Sequence, residues 1–214
     1  MTHRPSLTLD DCTFETMLAG GIALYDASHL MPRWAPKREF RDVAKIDRLF
    51  FHHSGRLGLP GVMGAWSSAN YVVNQRKTTT GRNKGKLARF PGPAYTYWIP
   101  AEDLLDHNGN LVVLRLNEDR ERSYHTGSKA NDFGIAAVFQ GNTTTKPLTH
   151  SHEECAEALI PWTMERHPLI RFPSMHSEAD EYGGRSKLAC PGVRAEAWIR
   201  GWRRGLMVPA PLAA

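Results

Sequence analysis

Short apolar runs recur along the chain, and segments with helical spacing of apolar residues lie between several of them. The runs are typical of buried strands and cover residues 48–52, 94–99, 111–116, 134–140 and 169–175. The helical segments cover residues 62–75, 151–166 and 193–204. This alternation, without an internal repeat, predicts an α/β fold: a single domain with a central mixed β-sheet flanked by helices.

Local signals predict several boundaries of these elements. Asn108-Gly109 is a tight-turn dipeptide, so the strands on either side are expected to form a hairpin. Ser151-His152-Glu153-Glu154 has the form of a capping box, which predicts that a helix begins there. The segment from Phe14 to Tyr25 is interpreted as a short helix that Gly20-Gly21 interrupts, and the prolines that follow indicate a linker or strap.

Charge and cysteine content narrow the class of protein. The chain has 27 Lys and Arg against 22 Asp and Glu, a net charge of +5, which favours anionic partners. The basic residues are densest at 76–86, a stretch that fits either a solvated loop or a contact for an anionic polymer. Three cysteines cannot build a disulfide framework, which indicates folding in a reducing cytoplasm. Residues 1–11 hold no apolar run and no stretch of about 18 apolar residues occurs, so neither a signal peptide nor a membrane span is expected.

Metal-type ligands occur at the ends of three predicted strands or loops. They lie in the segments FFHHSG at 50–55, MHSE at 175–178 and ACPG at 189–192. Two imidazoles and one thiolate suit zinc, which prefers tetrahedral nitrogen and sulfur ligands. Three protein ligands leave a fourth place for water or substrate, whereas a closed structural site takes a fourth protein ligand. A lone histidine or cysteine is a weak signal, but the three segments together predict a catalytic zinc site.

The same segments give the chain its resemblance to a known family. It resembles the zinc-dependent N-acetylmuramoyl-L-alanine amidases, a family that includes bacteriophage endolysins, bacterial wall-recycling amidases and animal peptidoglycan recognition proteins. The matching residues follow the family's order over about 47–192 and comprise FFHHSG, Tyr95 in AYTYWI, SYHTG at 123–127, GIAAVFQGN at 134–142 and HSEADEYGGRSKLACPG at 176–192. Residues 1–45 are then an N-terminal extension of unknown role, 46–205 the zinc amidase catalytic domain and 206–214 a tail.

The resemblance implies a role for each matching residue. The Zn2+ ligands are expected to be His52, His176 and Cys190, with the first histidine of the HH pair as the ligand. Tyr95 is expected to orient or deprotonate the attacking water. Lys187 is expected to donate to the developing oxyanion. His125 is assigned to substrate binding, and a loop histidine bonded to backbone is the equally weighted alternative.

Two departures from the family's pattern affect these roles. Lys187 precedes Cys190 by three residues instead of the usual two, so Arg185 is the alternative oxyanion donor. Some relatives carry an acidic residue in the strand at 134–140, where this chain has Ala136 and Ala137, and that assigns the base role to Tyr95.

The function implied is hydrolysis of the amide bond between N-acetylmuramic acid and L-alanine in peptidoglycan. A phage or prophage lysis enzyme is favoured, made in the cytoplasm as a monomer and acting on the wall after release. A cytoplasmic wall-recycling amidase and a non-catalytic peptidoglycan-binding module are the alternatives. A nucleic-acid-binding protein with a structural zinc is disfavoured, because the ligands spread from His52 to Cys190, unlike the compact spacing of zinc fingers.

Overall fold

The computed structural model describes residues 6–33, 39–55, 58–74, 76–77, 87–88, 90–126, 129–182 and 190–205. The strands are β1 (Thr13–Met17), β2 (Ala23–Asp26), β3 (Arg48–His53), β4 (Arg76–Lys77), β5 (Leu87–Ala88), β6 (Tyr97–Ile99), β7 (Val112–Arg115), β8 (Gly134–Phe139) and β9 (Pro173–Met175). The helices are α1 (Gly61–Asn74), α2 (Ala130–Phe133), α3 (His150–Arg166) and α4 (Val193–Arg203). Within this described part, no helix has both the length and the apolar character that a membrane span requires.

One mixed sheet forms the centre of the fold. Among the described residues it has seven strands in the order β1-β2-β7-β6-β8-β3-β9. Strands β6, β8, β3 and β9 run parallel, whereas β7 is antiparallel to β6 and β1 is antiparallel to β2. The prediction of an α/β fold with a central mixed sheet is therefore confirmed. A separate two-stranded pair, β4 with β5, flanks the basic stretch, of which residues 78–86 lie outside the described residues.

The N-terminal segment contributes to this same sheet. The prediction of a short helix over 14–25 was wrong, because these residues form the antiparallel strands β1 and β2. Gly20 and Gly21 have φ of 69° and 76°, the left-handed backbone that reverses the chain between the two strands. Strand β2 pairs in parallel with β7, so its partner lies almost 90 residues further along the chain. Residues 13–26, expected to belong to an extension, are thus part of the central sheet.

Two apolar layers cover the faces of the sheet. On one face, Leu49 and Phe51 of β3 pack in a cluster with residues of α3 and α4, such as Leu159 and Trp198. On the other face, α1 packs against Trp98 and neighbouring residues of the central strands. Because successive strand residues alternate between faces, Phe50 and His52 lie on the α1 side. This alternation decides which side of the sheet carries the predicted metal ligands.

Helix α3 begins earlier than the sequence pattern indicates. Its N-cap is Thr149, whose side chain accepts from the backbone N–H of His152, while His152 Nδ1 accepts from the backbone N–H of Thr149. Ser151, predicted to cap the helix, is buried and bonds Asp103 instead. A histidine nitrogen thus takes the place of the glutamate oxygen of an ordinary capping box.

A buried carboxylate network braces the sheet against the end of α3. Asp119 accepts from the Tyr97 hydroxyl at 2.8 Å, and its other oxygen lies 3.1 Å from His167 Nε2 and 3.3 Å from Arg166. Burial by itself would raise the pKa of Asp119, but the hydrogen bonds from His167 and Tyr97 and the charge of Arg166 outweigh it and lower the pKa to about 2. The network therefore favours the folded state only while Asp119 is ionised.

This network predicts a loss of stability in acid. A carboxyl whose pKa is lowered on folding stabilises the protein fully above its unfolded pKa near 3.8, and this contribution disappears as pH falls towards 2. The shift corresponds to about 2 kcal/mol of unfolding free energy. Urea unfolding at several pH values measures it, with Asp119→Asn as the control. The free-energy gap between wild type and variant is expected to narrow by this amount between pH 5 and pH 2, and a constant gap contradicts the role of Asp119.

Candidate metal centre

The parallel pairing of β3 with β9 brings two predicted ligands together. Phe51 pairs with Met175 in register, so the residues that follow, His52 and His176, lie side by side at the carboxyl ends of their strands. Their ring centroids are 4.5 Å apart, and the two side chains are 1% and 3% exposed. Two residues more than 120 positions apart thus become neighbours through sheet register alone.

Cys190 completes the cluster from the segment before α4. Its backbone carbonyl accepts from the N–H of Ser177, beside His176, at 3.2 Å. The Thr143 hydroxyl donates to the carbonyl of Pro191, and the Thr143 carbonyl accepts from the N–H of Arg194 at 3.2 Å. These bonds hold the start of α4 against Ser177 on one side and Thr143 on the other, so the position of the Cys190 thiol is fixed.

The donor set fits a zinc ion. One nitrogen from each of His52 and His176 and the sulfur of Cys190 all lie within 4.8 Å of one another. The distance from His52 Nδ1 to Cys190 Sγ is 3.6 Å. Tetrahedral zinc with ordinary Zn–N and Zn–S bonds separates nitrogen and sulfur by about 3.6 Å. This one distance matches tetrahedral zinc, and the three donors are of the types that zinc prefers, so the cluster could hold such an ion.

His125 lies behind His52, away from Cys190. Its Nδ1 is 3.0 Å from His52 Nε2, and its Nε2 is 3.2 Å from the backbone carbonyl of Gly134. Burial, and then the charge of Arg41, lower the pKa of His125 to about 3, so the ring is neutral at physiological pH. Both ring nitrogens of the residue expected to bind substrate are therefore engaged within the protein.

Tyr95 stands beside the same cluster. Its ring centroid is 5.3 Å from that of His52, and the residue is half-buried next to α1. The backbone carbonyl of Tyr95 accepts from the side chain of Asn117 at 2.8 Å, which fixes the start of the segment leading into β6. His53, the second histidine of the pair, alternates to the opposite face of β3 and is half-buried there.

The expected oxyanion donors fall in a part of the chain that the structure does not describe. Lys187 and its alternative Arg185 lie within residues 183–189, outside the described residues. The same holds for the tail at 206–214.

A second layer of buried polar residues supports His125. Asn131 accepts with one side-chain oxygen from the backbone N–H groups of His125 and Thr126, each at 3.0 Å. Arg41, 9% exposed, donates to the backbone carbonyls of Asn131 and Gly134 and, at 2.7 Å, to that of Asp119. Burial lowers the pKa of Arg41 to about 10, so it remains a cation at neutral pH. The sequence pattern did not indicate a role for Arg41, because an arginine that lies outside every predicted strand and helix is ordinarily interpreted as a surface residue.

Two clefts open near the carboxyl ends of the parallel strands. One, of about 300 Å³, lies between Ser54 at the end of β3 and the face of α1 that carries Ser67 and Tyr71. The other, of about 500 Å³, lies under the loop after β8 and includes Asn142 and Lys146. Neither is lined by the three ligands, although Ser54 follows the HH pair directly.

Comparisons with solved structures identify the fold. The chain is similar to the Drosophila peptidoglycan recognition protein SD, with a TM-score of 0.56 at 15% identity over 81% of this chain and 89% of that one. It is similar to the Ph2119 endolysin of a Thermus scotoductus bacteriophage, with a TM-score of 0.56 at 12% identity over 82% and 96%. For the endolysin N-acetylmuramoyl-L-alanine amidase LysCS from Clostridium intestinale the TM-score is 0.53 at 13% identity over 85% and 95%.

No protein-family model and no curated protein sequence matches the chain. The expected resemblance to amidases and peptidoglycan recognition proteins is therefore confirmed in the fold, which this chain shares with both groups.

Proposed function

We propose that this protein is a zinc-dependent N-acetylmuramoyl-L-alanine amidase, which hydrolyses the amide bond between N-acetylmuramic acid and L-alanine in peptidoglycan. A phage or prophage lysis role is the form of this function that we favour, since solved endolysins share the fold. The observation that carries the proposal is the cluster of His52, His176 and Cys190, with its 3.6 Å spacing between nitrogen and sulfur. Peptidoglycan recognition proteins have the same fold, so the metal cluster and not the fold argues for catalysis.

Different residues of the chain would bind the metal, activate the water and stabilise the oxyanion during amide hydrolysis. A zinc ion held by the three ligands would polarise the amide carbonyl and lower the pKa of water. Tyr95, whose ring centroid lies 5.3 Å from that of His52, would orient the attacking water or deprotonate it. Lys187, or Arg185 in its place, would donate to the oxyanion that develops on the carbonyl oxygen. The burial of the ligands excludes bulk water from their side of the site and strengthens these interactions.

Digestion of purified peptidoglycan tests the proposal. We expect zinc-loaded protein to release intact stem peptides with a free amino-terminal alanine from uncut glycan strands, as identified by mass spectrometry. Treatment with a chelator is expected to stop the release, and added zinc to restore it. Cleavage within the glycan or within the peptide would move the function to another hydrolase class. Metal-independent binding of muropeptides, with no cleavage by the zinc-loaded protein, would establish a non-catalytic peptidoglycan-binding module.

Tyr95→Phe separates chemistry from metal binding. Because the substitution removes only the hydroxyl, we expect the amidase rate to fall by about 100-fold, the lower range for loss of a general base, while zinc affinity stays at the wild-type value. Tyr25→Phe, in β2 with three strands of the sheet between it and β3, is the matched control and is expected to retain most of the activity. An unchanged rate in Tyr95→Phe contradicts the base role.

A further inference from the structure

A chain of hydrogen bonds leads from the metal ligands to the backbone. His52 presents Nδ1 to the Cys190 sulfur, and its Nε2 lies 3.0 Å from His125 Nδ1. His125 Nε2 lies in turn 3.2 Å from the Gly134 carbonyl oxygen. The two nitrogens of each ring thus face different partners, one towards the ligand cluster and one away from it.

The Gly134 carbonyl, at the end of this series of hydrogen bonds, determines which ring nitrogens carry protons. A carbonyl oxygen only accepts, so His125 donates to Gly134 through Nε2. The Arg41 cation bonds the same carbonyl, and a second buried positive charge on His125 would be repelled by it, so the ring carries one proton and accepts at Nδ1. His52 must then donate through Nε2, which leaves the lone pair of its Nδ1 directed towards Cys190. The arrangement selects one of the two tautomers of His52, the one that can ligate through Nδ1.

The residues around His125 leave it little freedom. The Phe50 ring lies 5.3 Å from the His125 ring, centroid to centroid. A Cβ on Gly134 would lie 2.6 Å from that Phe50 ring, so only glycine brings this carbonyl so close beneath the site. Arg41 donates to the Gly134 carbonyl and to that of Asn131, whose side chain fixes the His125 backbone. The buried Arg41 cation therefore holds both the Gly134 carbonyl, which accepts from His125, and Asn131, which holds the His125 backbone.

We propose that His125 is a positioning residue that selects Nδ1 of His52 as the metal-binding nitrogen, and that Arg41 and Asn131 hold His125 in this role. The proposal rests on the metal centre of the proposed function. It gives His125 a task other than substrate contact and gives the segment before β3 a direct structural link to the site. Hydrogen-bond partners of this kind are worth about 10- to 100-fold in metal affinity.

A pair of variants at position 125 tests the positioning role. His125→Phe keeps a ring but removes both hydrogen bonds, and we expect its zinc dissociation constant, measured by chelator competition, to rise about 10- to 100-fold. His125→Gln keeps an acceptor and a donor at about the imidazole spacing, and its zinc affinity is expected to stay close to wild type. Thermal unfolding in chelator shows whether either variant is folded. Equal zinc affinity of wild type and a folded His125→Phe variant overturns the proposal.

NMR of the wild-type protein tests the positioning role of His125 without any substitution. In zinc-loaded protein labelled with 15N-histidine, we expect NMR to find His52 protonated at Nε2 and ligated through Nδ1, and His125 protonated at Nε2 alone. Ligation of His52 through Nε2 overturns the proposal while leaving the metal centre intact. If the wild type binds no zinc, the proposed function and the positioning role fail together, whereas ligation through Nε2 removes only the positioning role.

Discussion

The Cys190→Ala variant is expected to lose zinc and to hydrolyse peptidoglycan at least about 1,000-fold more slowly than wild type. The zinc-dependent polarisation of the carbonyl and of water is worth several kcal/mol of barrier, and about 4 kcal/mol corresponds to this factor. Removing the thiol also leaves His52 and His176 as the only described ligands of the cluster, too few for a tight site. Zinc content by elemental analysis and the rate of stem-peptide release measure the two effects.

Two further cysteine variants control this experiment. Cys155→Ala removes a thiol of equal size that is buried in α3, where burial raises its pKa to about 12 and makes it a poor ligand. We expect this variant to keep its zinc and its rate, apart from a modest loss of stability. Cys190→Asp supplies an oxygen ligand and is expected to retain part of both. A Cys190→Ala variant with full zinc content and wild-type activity would remove the basis for the proposed metal centre.

Gly192→Ala is expected to cost about 3 kcal/mol of unfolding free energy and to weaken zinc binding, because two separate penalties add at this position. Gly192 precedes α4 with φ of 95°, a backbone conformation that alanine adopts only under strain. A Cβ there would lie 2.5 Å from the backbone nitrogen of Thr144 and 2.6 Å from the backbone carbon of Thr143. The chain must move to relieve this overlap, and Cys190 lies only two residues away.

Gly205→Ala supplies the matched comparison for this variant. Gly205 has φ of 70°, but a Cβ there would meet no atom within 4 Å, so only the backbone strain of about 1 kcal/mol is expected. Urea unfolding gives both stabilities, and chelator competition gives zinc affinity, which Gly205→Ala is expected to leave unchanged. Equal losses of stability in the two variants would show that the contact with residues 143 and 144 costs nothing.

Patterns within short windows predicted the parts of the fold whose signals are local. The apolar run before His52 and the helical spacing after Pro60 correspond to β3 and α1, because periodicity reports burial directly. The segment over 14–25 was misread because its strands depend on pairing with β7, which no local window contains. Glycines that interrupt a helix and glycines that reverse a hairpin look the same in sequence.

The sequence by itself determined the kinds of donor atom at the site, two imidazoles and one thiol, and the resemblance that assigned them to one ion. Only the tertiary structure decided that these donors lie within 4.8 Å of one another, since the register of β3 with β9 and the anchoring of Cys190 bring residues 124 and 138 positions further along the chain next to His52. It also decided that His125 bonds His52 and that Arg41 supports it from beneath. Such contacts depend on sheet register and side-chain direction, which are set by the packing of the whole chain and leave no trace in local residue patterns.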